Sequence, residues 1–382
     1  MAPIVVLGSG LAGYSAIREL RKLDRDLPVT LLSRDGGDYY SKPMLSNALA
    51  QRKDAAGLVL VPAAEMAEQL GIELRAHCEA SSIDATNKCL QTAQGELRYS
   101  RLLLALGADA IRIPLQGDAA NCVMSVNDHG DYARFRAALH GKKRIAIMGG
   151  GLIGCEFAND LASAGHAVSV IDPGPYPLAS LMPEQAGSRL LVPLAALGVD
   201  WYFNTSVGSV DAAASGYTLT LANGVSLHAD LVLSAVGLRP RIALAREAGL
   251  AANRGVAVDA RLRSSDPDIY ALGDCAEIEG RVLPFVLPIM HAARALARTL
   301  AGEETQAVFP AMPVVVKTPA HPVAVLPVAR DAAGSWQTLA SGDGIKMAFV
   351  DEAGRMSGFV LTGQYAGERS EMTKRVGMSL AG

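Results

Sequence analysis

The sequence predicts an α/β fold of two Rossmann-like units, each a parallel sheet wound with helices, followed by a small C-terminal α+β domain. Three observations carry that reading. Two short apolar runs, Ile4 to Leu7 and Arg144 to Met148, each end in a glycine string that opens a segment of helical spacing. The two strings stand about 140 residues apart, too far for one mononucleotide fold and suited to two domains. From Met312 onward short strands are parted by turn signals, Ser341-Gly342-Asp343-Gly344 and Asp351-Glu352-Ala353-Gly354, which is antiparallel texture.

Size and composition agree. At 382 residues the chain exceeds the roughly 250 to 300 at which one core stops growing. Half the residues are apolar and 19% are charged, enough for packed cores and too little charge for disorder. A net charge of −3 argues against nucleic acid as a partner. No apolar run reaches the ~18 residues of a membrane span, and Met1-Ala2-Pro3 leads into Ile4 without a basic export signal. The five cysteines (Cys78, Cys89, Cys122, Cys155, Cys275) form no Cys-x-x-Cys, Cys-x4-Cys or zinc-type set, so reduced core thiols and a cytoplasmic setting are expected.

In order, Ile4 to Leu7 reads as a strand, Ala16, Ile17, Leu20 and Leu23 as one face of a helix, and Val29 to Leu32 as the next strand. Leu102 to Leu106, closed by Gly107, reads as a buried strand of the same unit. The second unit repeats the pattern: Arg144 to Met148, a helix through Cys155, Phe157, Ala158, Leu161 and Ala162, and the strand Ala167 to Ile171. Leu231 to Val236 with Gly237 is its exit strand. Ile269 to Asp274 reads as a strand ending in an acid, and Pro288 to Leu300 as a helix. Gln364 to Met378 is polar enough for a surface helix or a loose tail.

The strings Gly8-Ser9-Gly10-Leu11-Ala12-Gly13 and Gly149-Gly150-Gly151-Leu152-Ile153-Gly154 fit a dinucleotide cradle. Such a turn needs glycine to bend tightly, to admit a pyrophosphate against the backbone and to pack helix on strand, while the helix N-terminus meets the phosphate charge. An acid about 20 residues on should bond the adenosine ribose. Asp172, 23 residues after Gly149, fits, and Pro173-Gly174-Pro175 beyond it offers no Arg for a 2′-phosphate, so NADH is favoured over NADPH. Asp172 could instead cap a turn. In the first unit the matching place holds Ser33-Arg34, with Asp35 just beyond, so the acid rule is not cleanly met.

Gly8 to Gly13, Leu103 to Gly107, Gly149 to Glu156, Ser234 to Pro240 and Tyr270 to Asp274 resemble, in order and spacing, the motif set of the two-dinucleotide-binding-domain flavoprotein reductases. The local strings Tyr40-Ser41-Lys42-Pro43-Met44-Leu45-Ser46, Ala271 to Glu277 and Val316-Lys317-Thr318-Pro319 look like the rubredoxin reductases and the similar flavorubredoxin reductases. The likeness runs over essentially the whole chain. It implies that residues 1–109 with 239–311 bind FAD, that 110–238 bind NADH, and that 312–382 form an interface domain. Gly8, Ser9, Gly10, Leu11, Ala12, Gly13, Ser33, Arg34, Ala80, Gly107, Gly273, Asp274 and Val286 would then serve FAD, and Gly149, Gly151, Gly154, Asp172 and Gly237 would serve NADH. Asp274 would accept from the ribityl hydroxyls, its plain alternative being a helix N-cap. Lys42 would sit near flavin N5, or else be a solvated surface lysine. Glu156 would lie beside flavin and nicotinamide and could pair with Lys42, although an acid in the first turn of a helix is also favoured by the dipole alone. Lys317 would stand at the mouth of the acceptor site, or be an exposed strand lysine.

Two departures qualify the likeness: Asn47 stands where the related ferredoxin reductases carry a second cation, and Ala105-Leu106-Gly107 replaces Ala-Thr-Gly. The resemblance implies hydride taken from NADH and electrons passed singly to rubredoxin, a small acidic iron protein docked through Arg52, Lys53, Lys42 and Lys317. A flavorubredoxin or ferredoxin reductase is the alternative. A disulfide reductase of the same architecture would need a reactive cysteine that this chain lacks, and a nucleotide-binding sensor would need no acceptor. A monomer is expected, since the chain has no dimerising tail of the disulfide-reductase kind.

Overall fold

The computed structural model describes residues 2–329 and 331–379. They fall into two compact units. One comprises the described residues of Met1–Lys42, Gly57–Asp109 and Leu238–Pro310; the other comprises those of Pro43–Ala56, Ala110–Gly237 and Ala311–Gly382.

In the first unit, β1 (Ile4–Leu7), α1 (Leu11–Leu23) and β2 (Val29–Leu32) make the expected βαβ turn. The parallel sheet runs Ile269–Ala271, Arg101–Leu104, β1, β2, Glu73–Arg75. Every residue of β1 and β2 is buried, as continuous apolar runs require when helices cover both faces. On α1, Ala16, Ile17 and Leu20 face the core, while the Tyr14 hydroxyl donates to the Gly37 carbonyl at 2.5 Å. The chain order reverses between β1 and Arg101–Leu104, which is where α/β sheets open a crevice at the carboxyl ends of their strands. The helix Val286–Leu300 lies against α1, and Ser15 Oγ reaches Met290 Sδ at 3.4 Å.

The second unit repeats this plan with β3 (Arg144–Met148), α2 (Leu152–Ser163) and β4 (Ala167–Ile171). Its parallel sheet runs Met124–Ser125, Leu231–Ser234, β3, β4, Val199–Tyr202. The same unit contains the C-terminal antiparallel sheet, in the order Val314–Val316, Val323–Leu326, Met356–Thr362, Ile345–Asp351, Gly334–Ser341. The polar stretch after it is helical: a 3₁₀ turn, Gly363–Glu368, leads into the helix Arg369–Arg375. Met372, fully buried among Ala324, Met356 and Phe359, supplies the apolar anchor. Pro43–Ala56 also belongs to this unit, although its neighbours in sequence belong to the other.

The start of β3 is tied by one carboxylate. Asp230 accepts from the Lys143 and Arg144 main-chain N–H groups at 2.9 Å each and from Arg144 Nη2 at 2.7 Å. The Arg144 guanidinium first, and the two N–H donors with it, hold this carboxyl well below the ordinary range against the opposing effect of burial. A depressed folded-state pKa contributes stability that is present above the unfolded pKa and lost as pH falls through the folded one. Asp230→Asn should therefore cost about 1 kcal/mol at neutral pH, the partial exposure of the group limiting the effect. Thermal melts should show the deficit narrowing in acid, where both proteins are neutral at this position; a deficit independent of pH would contradict it.

Candidate functional site

The two glycine turns divide their work in the same way. A Cβ on Gly8, which has φ +115°, would overlap the Ala105 carbonyl oxygen, and one on Gly13 would overlap the Gly8 carbonyl oxygen. In the second turn a Cβ on Gly149 would come within 2.6 Å of the Ala235 carbonyl oxygen, and one on Gly154 would overlap that of Gly149. These four glycines are required by packing. Gly10 and Gly151 are different: a Cβ on either would meet no heavy atom within 4 Å among the described residues. Both are extended N-caps, of α1 and α2, and neither helix start has a side-chain cap among the described residues. Each turn thus leaves open space beside its middle glycine at a helix N-terminus without a side-chain cap, which fits a phosphate-bearing dinucleotide.

Around the first turn, Ser9 Oγ lies 2.6 Å from Ser33 Oγ, and Ser33 Oγ donates to Asp35 Oδ1 at 2.6 Å. The Gly37 N–H donates to the same oxygen at 2.9 Å. Burial alone would raise the Asp35 carboxyl; the bonds from Ser33, Gly37 and Ser9, with the Arg34 charge, outweigh it and hold the group below the ordinary range. Asp35 is therefore a fixed anion at the end of β2, the acid that Ser33-Arg34 did not supply; its only signal in the sequence was its place two residues on. The Cys78 N–H donates to the Ser33 carbonyl at 2.8 Å, which brings the chain leading to Ala80, the start of strand Ala80–Asp84, to this corner. Arg34 is exposed.

A Cβ on Gly273 would stand 2.7 Å from Ala12 Cβ, so the turn carrying Asp274 lies against the start of α1. Lys42 Nζ approaches Asp274 Oδ2 at 3.5 Å, both being partly exposed. The residues after Asp274 form strand Ala276–Ile278, so the helix N-cap alternative for Asp274 is overturned. Gly107 is pinned by Arg241, whose Nη1 bonds the Leu106 carbonyl at 2.9 Å while its N–H bonds that of Gly107 at 3.0 Å. The Gly237 carbonyl accepts from the Ile111 N–H at 3.0 Å. Val286 opens its helix 41% exposed.

In the second unit both oxygens of Asp172 accept main-chain bonds, from Gly150 at 2.5 Å and from Gly174 at 2.6 Å. The turn-capping role is thus present, and each oxygen keeps a second lone pair for another donor. Glu156 is 0% exposed and fully satisfied. Its Oε2 takes Ser46 Oγ and Lys317 Nζ at 2.5 Å each, and its Oε1 takes the Lys317 N–H at 2.8 Å. The expected pairing of Glu156 with Lys42 is corrected: the partner is Lys317, of its own unit, while Lys42 approaches Asp274 in the other. Lys317 is consequently no simple exposed strand lysine.

Three further residues went unread in the sequence. Asp160 accepts from the Leu49 and Ala50 N–H groups at 3.0 and 2.8 Å, and Asn159 Oδ1 from the Ala320 N–H at 3.1 Å. Burial raises the Asp160 carboxyl above its ordinary range, with these two N–H donors opposing. Ser46 lay inside a recognised string but had no role there. The thiols are plain: Cys155 and Cys275 are fully buried, burial pushing Cys155 up strongly and Cys275 to about 11.

Residues 2–298 match the pyridine nucleotide-disulphide oxidoreductase family, and residues 306–376 match a rubredoxin binding C-terminal domain. The chain is 48% identical over 377 residues to a rubredoxin-NAD(+) reductase of Alcanivorax borkumensis, covering 98% of this chain and 99% of that protein. A nitric oxide reductase FlRd-NAD(+) reductase of Aeromonas hydrophila is 40% identical, with 94% and 92% covered. A ferredoxin reductase structure from Rhodopseudomonas palustris matches with a TM-score of 0.89 at 22% identity, covering 99% of this chain and 96% of that one, which shows the fold.

The division of labour among glycines is testable. Gly10→Ala and Gly151→Ala should keep the parent's melting temperature without ligand and each lose dinucleotide binding at its own turn, read by calorimetry. Gly13→Ala should lower stability by about 1–3 kcal/mol or more, since its methyl group has only a carbonyl oxygen to displace. Equal destabilisation by all three substitutions would refute the assignment.

Proposed function

The chain belongs to the pyridine nucleotide-disulphide oxidoreductase family, in the group of the rubredoxin-NAD(+) reductases, and from that premise we propose that it takes hydride from NADH on bound FAD and passes the electrons singly to rubredoxin. The observation that carries the choice of acceptor is the match of residues 306–376, which include Lys317, to a rubredoxin binding domain. Residues 1–109 with 239–311 would hold FAD, residues 110–238 NADH, and residues 312–382 would face the acceptor.

When bound, FAD supplies the chemistry no side chain here can, accepting a hydride and releasing its electrons one at a time. The chain's own residues bind and orient. The Gly8–Gly13 turn and the N-terminus of α1 would meet the FAD pyrophosphate, with Ser33, Arg34, Asp35 and Ala80 at the adenosine end and Lys42, Gly107, Gly273, Asp274 and Val286 toward the ring. Gly149, Gly151 and Gly154 would do the same for NADH, and Asp172 would take its ribose hydroxyls while its negative charge rejects a 2′-phosphate. Glu156 fixes Lys317 so that its ammonium is held rather than free to swing. The acceptor's metal is held by its own cysteines, so no thiol of this chain enters the electron path.

Relatives such as that of Aeromonas hydrophila favour the alternative acceptor, flavorubredoxin, and a comparison of reduction rates of rubredoxin, flavorubredoxin, ferredoxin and a dithiol ranks all four. No helix among the described residues is long and apolar enough to cross a membrane, and all five cysteines are free. A cytoplasmic monomer is the setting we propose with this function.

Two outcomes are expected in steady-state assays. Alkylating the accessible thiol, Cys122, should leave turnover unchanged, whereas loss of turnover would point to a thiol mechanism. The KM for rubredoxin should rise with ionic strength, because exposed charges are screened within about 10 Å at 0.1 M salt. A KM indifferent to salt would remove electrostatic docking from the proposal.

A further inference from the structure

On α2, Glu156, Asn159 and Asp160 lie at positions i, i+3 and i+4, hence on one face. All three are at most 1% exposed. Such a burial is tolerable only with donors for every oxygen, and the donors come from two remote segments: Ser46, Leu49 and Ala50 on one side, Lys317 and Ala320 on the other. Most of these bonds are to main-chain N–H groups, so what they fix is the path of the loop.

The first segment ends in a tight turn. The Arg52 N–H bonds the Leu49 carbonyl at 2.8 Å and the Lys53 N–H that of Ala48 at 2.9 Å, which closes the turn around Ala50 and Gln51 and ties Arg52 and Lys53, on its returning arm, to the arm whose Leu49 and Ala50 amides Asp160 holds. Arg52 is exposed and sits at φ +55°, a left-handed conformation that is unfavourable for a non-glycine residue and persists only where the surroundings enforce it. The Tyr132 hydroxyl adds a bond to the Lys53 carbonyl at 3.1 Å. A carboxylate can accept both amides at once where an amide side chain can accept only on its single oxygen, which gives a reason for a buried acid at 160.

We propose that Asp160 and Asn159 are positioning residues for the acceptor-docking surface, holding the turn that carries Arg52 and Lys53, and the segment that carries Lys317, as a fixed set of cations for an acidic iron–sulfur electron carrier. This rests on the reading of rubredoxin as the acceptor and deepens it. The residues act through the loops they hold and touch neither acceptor nor cofactor.

The test uses the flavin-loaded full-length protein. In Asp160→Asn, hydrogen exchange at the Leu49 and Ala50 amides should accelerate, the KM for rubredoxin should rise about fivefold or more, and the salt dependence of KM should fall to that of Arg52→Ala/Lys53→Ala. Joining the two sets of substitutions should add nothing further, and NADH-driven bleaching of the flavin should stay within about twofold. Unchanged KM and salt dependence despite faster exchange, or additive losses, would overturn the proposal. Should Asp160→Asn fail to fold, Arg52→Glu/Lys53→Glu on the returning arm of the turn decides: a raised KM supports the docking turn, an unaltered one overturns it. A wild-type protein that reduces no rubredoxin would sink the functional reading itself, while the exchange data would still judge whether Asp160 holds the turn.

Discussion

A helix that buries two carboxylates must be surrounded by donors, and α2 buries Glu156 and Asp160 completely. That requirement organises the second unit. It draws in Pro43–Ala56, which the sequence lists among the residues of the other unit, and it pins the first residues after Val314–Val316 through Lys317 and Ala320. At its other end the same helix must begin without a side chain in the way, which is why Gly151 opens it. One short element therefore presents bare N–H groups at its start and a saturated polar face along its side.

The first unit solves the same opening problem with the same letters and a different periphery. Gly8 and Gly13 are consumed by packing and Gly10 is left free, as in the second turn. The acid, however, arrives through Ser9 and Ser33 to Asp35 rather than directly from the strand end, as Asp172 does. Two dinucleotides with different rings can thus be held by one backbone device, the distinction being left to the residues around it. The buried thiols add nothing to the chemistry, in keeping with an enzyme whose electrons leave through a metal centre in another protein.

Much of this was legible from residue types because the glycine strings encode a steric fact: a methyl group at Gly13 or Gly154 has nowhere to go, so the letters report the turn. The strands adjoining them were equally clear from their continuous apolar runs. What the sequence did not disclose shares one property. Asp160 bonds main-chain N–H groups 110 and 111 positions away, and Asn159 bonds one 161 away. Since any residue but proline carries an N–H, nothing in the partner's identity announces such a contact. The partner of Glu156 was misassigned for a related reason: Lys42 and Lys317 both offered a cation, and residue type does not say that Lys317 is brought to Glu156, 161 positions away, while Lys42 pairs with Asp274. The strand expected to run to Asp274 ends at Ala271, leaving Asp274 in the following turn, and the segment it might have capped as a helix is the strand Ala276–Ile278.

Every role assigned to these residues depends on electrons leaving through a one-electron acceptor rather than through a thiol. The direct measurement is anaerobic rapid mixing of the NADH-reduced, flavin-loaded protein with oxidised rubredoxin, both chromophores being followed at once. The expected result is bleaching of the rubredoxin iron centre in step with the return of the flavin's yellow colour, a pair of rubredoxins being reduced for each hydride consumed. A flavin that stays reduced in the presence of rubredoxin, and reoxidises only when a disulfide is supplied, would contradict it.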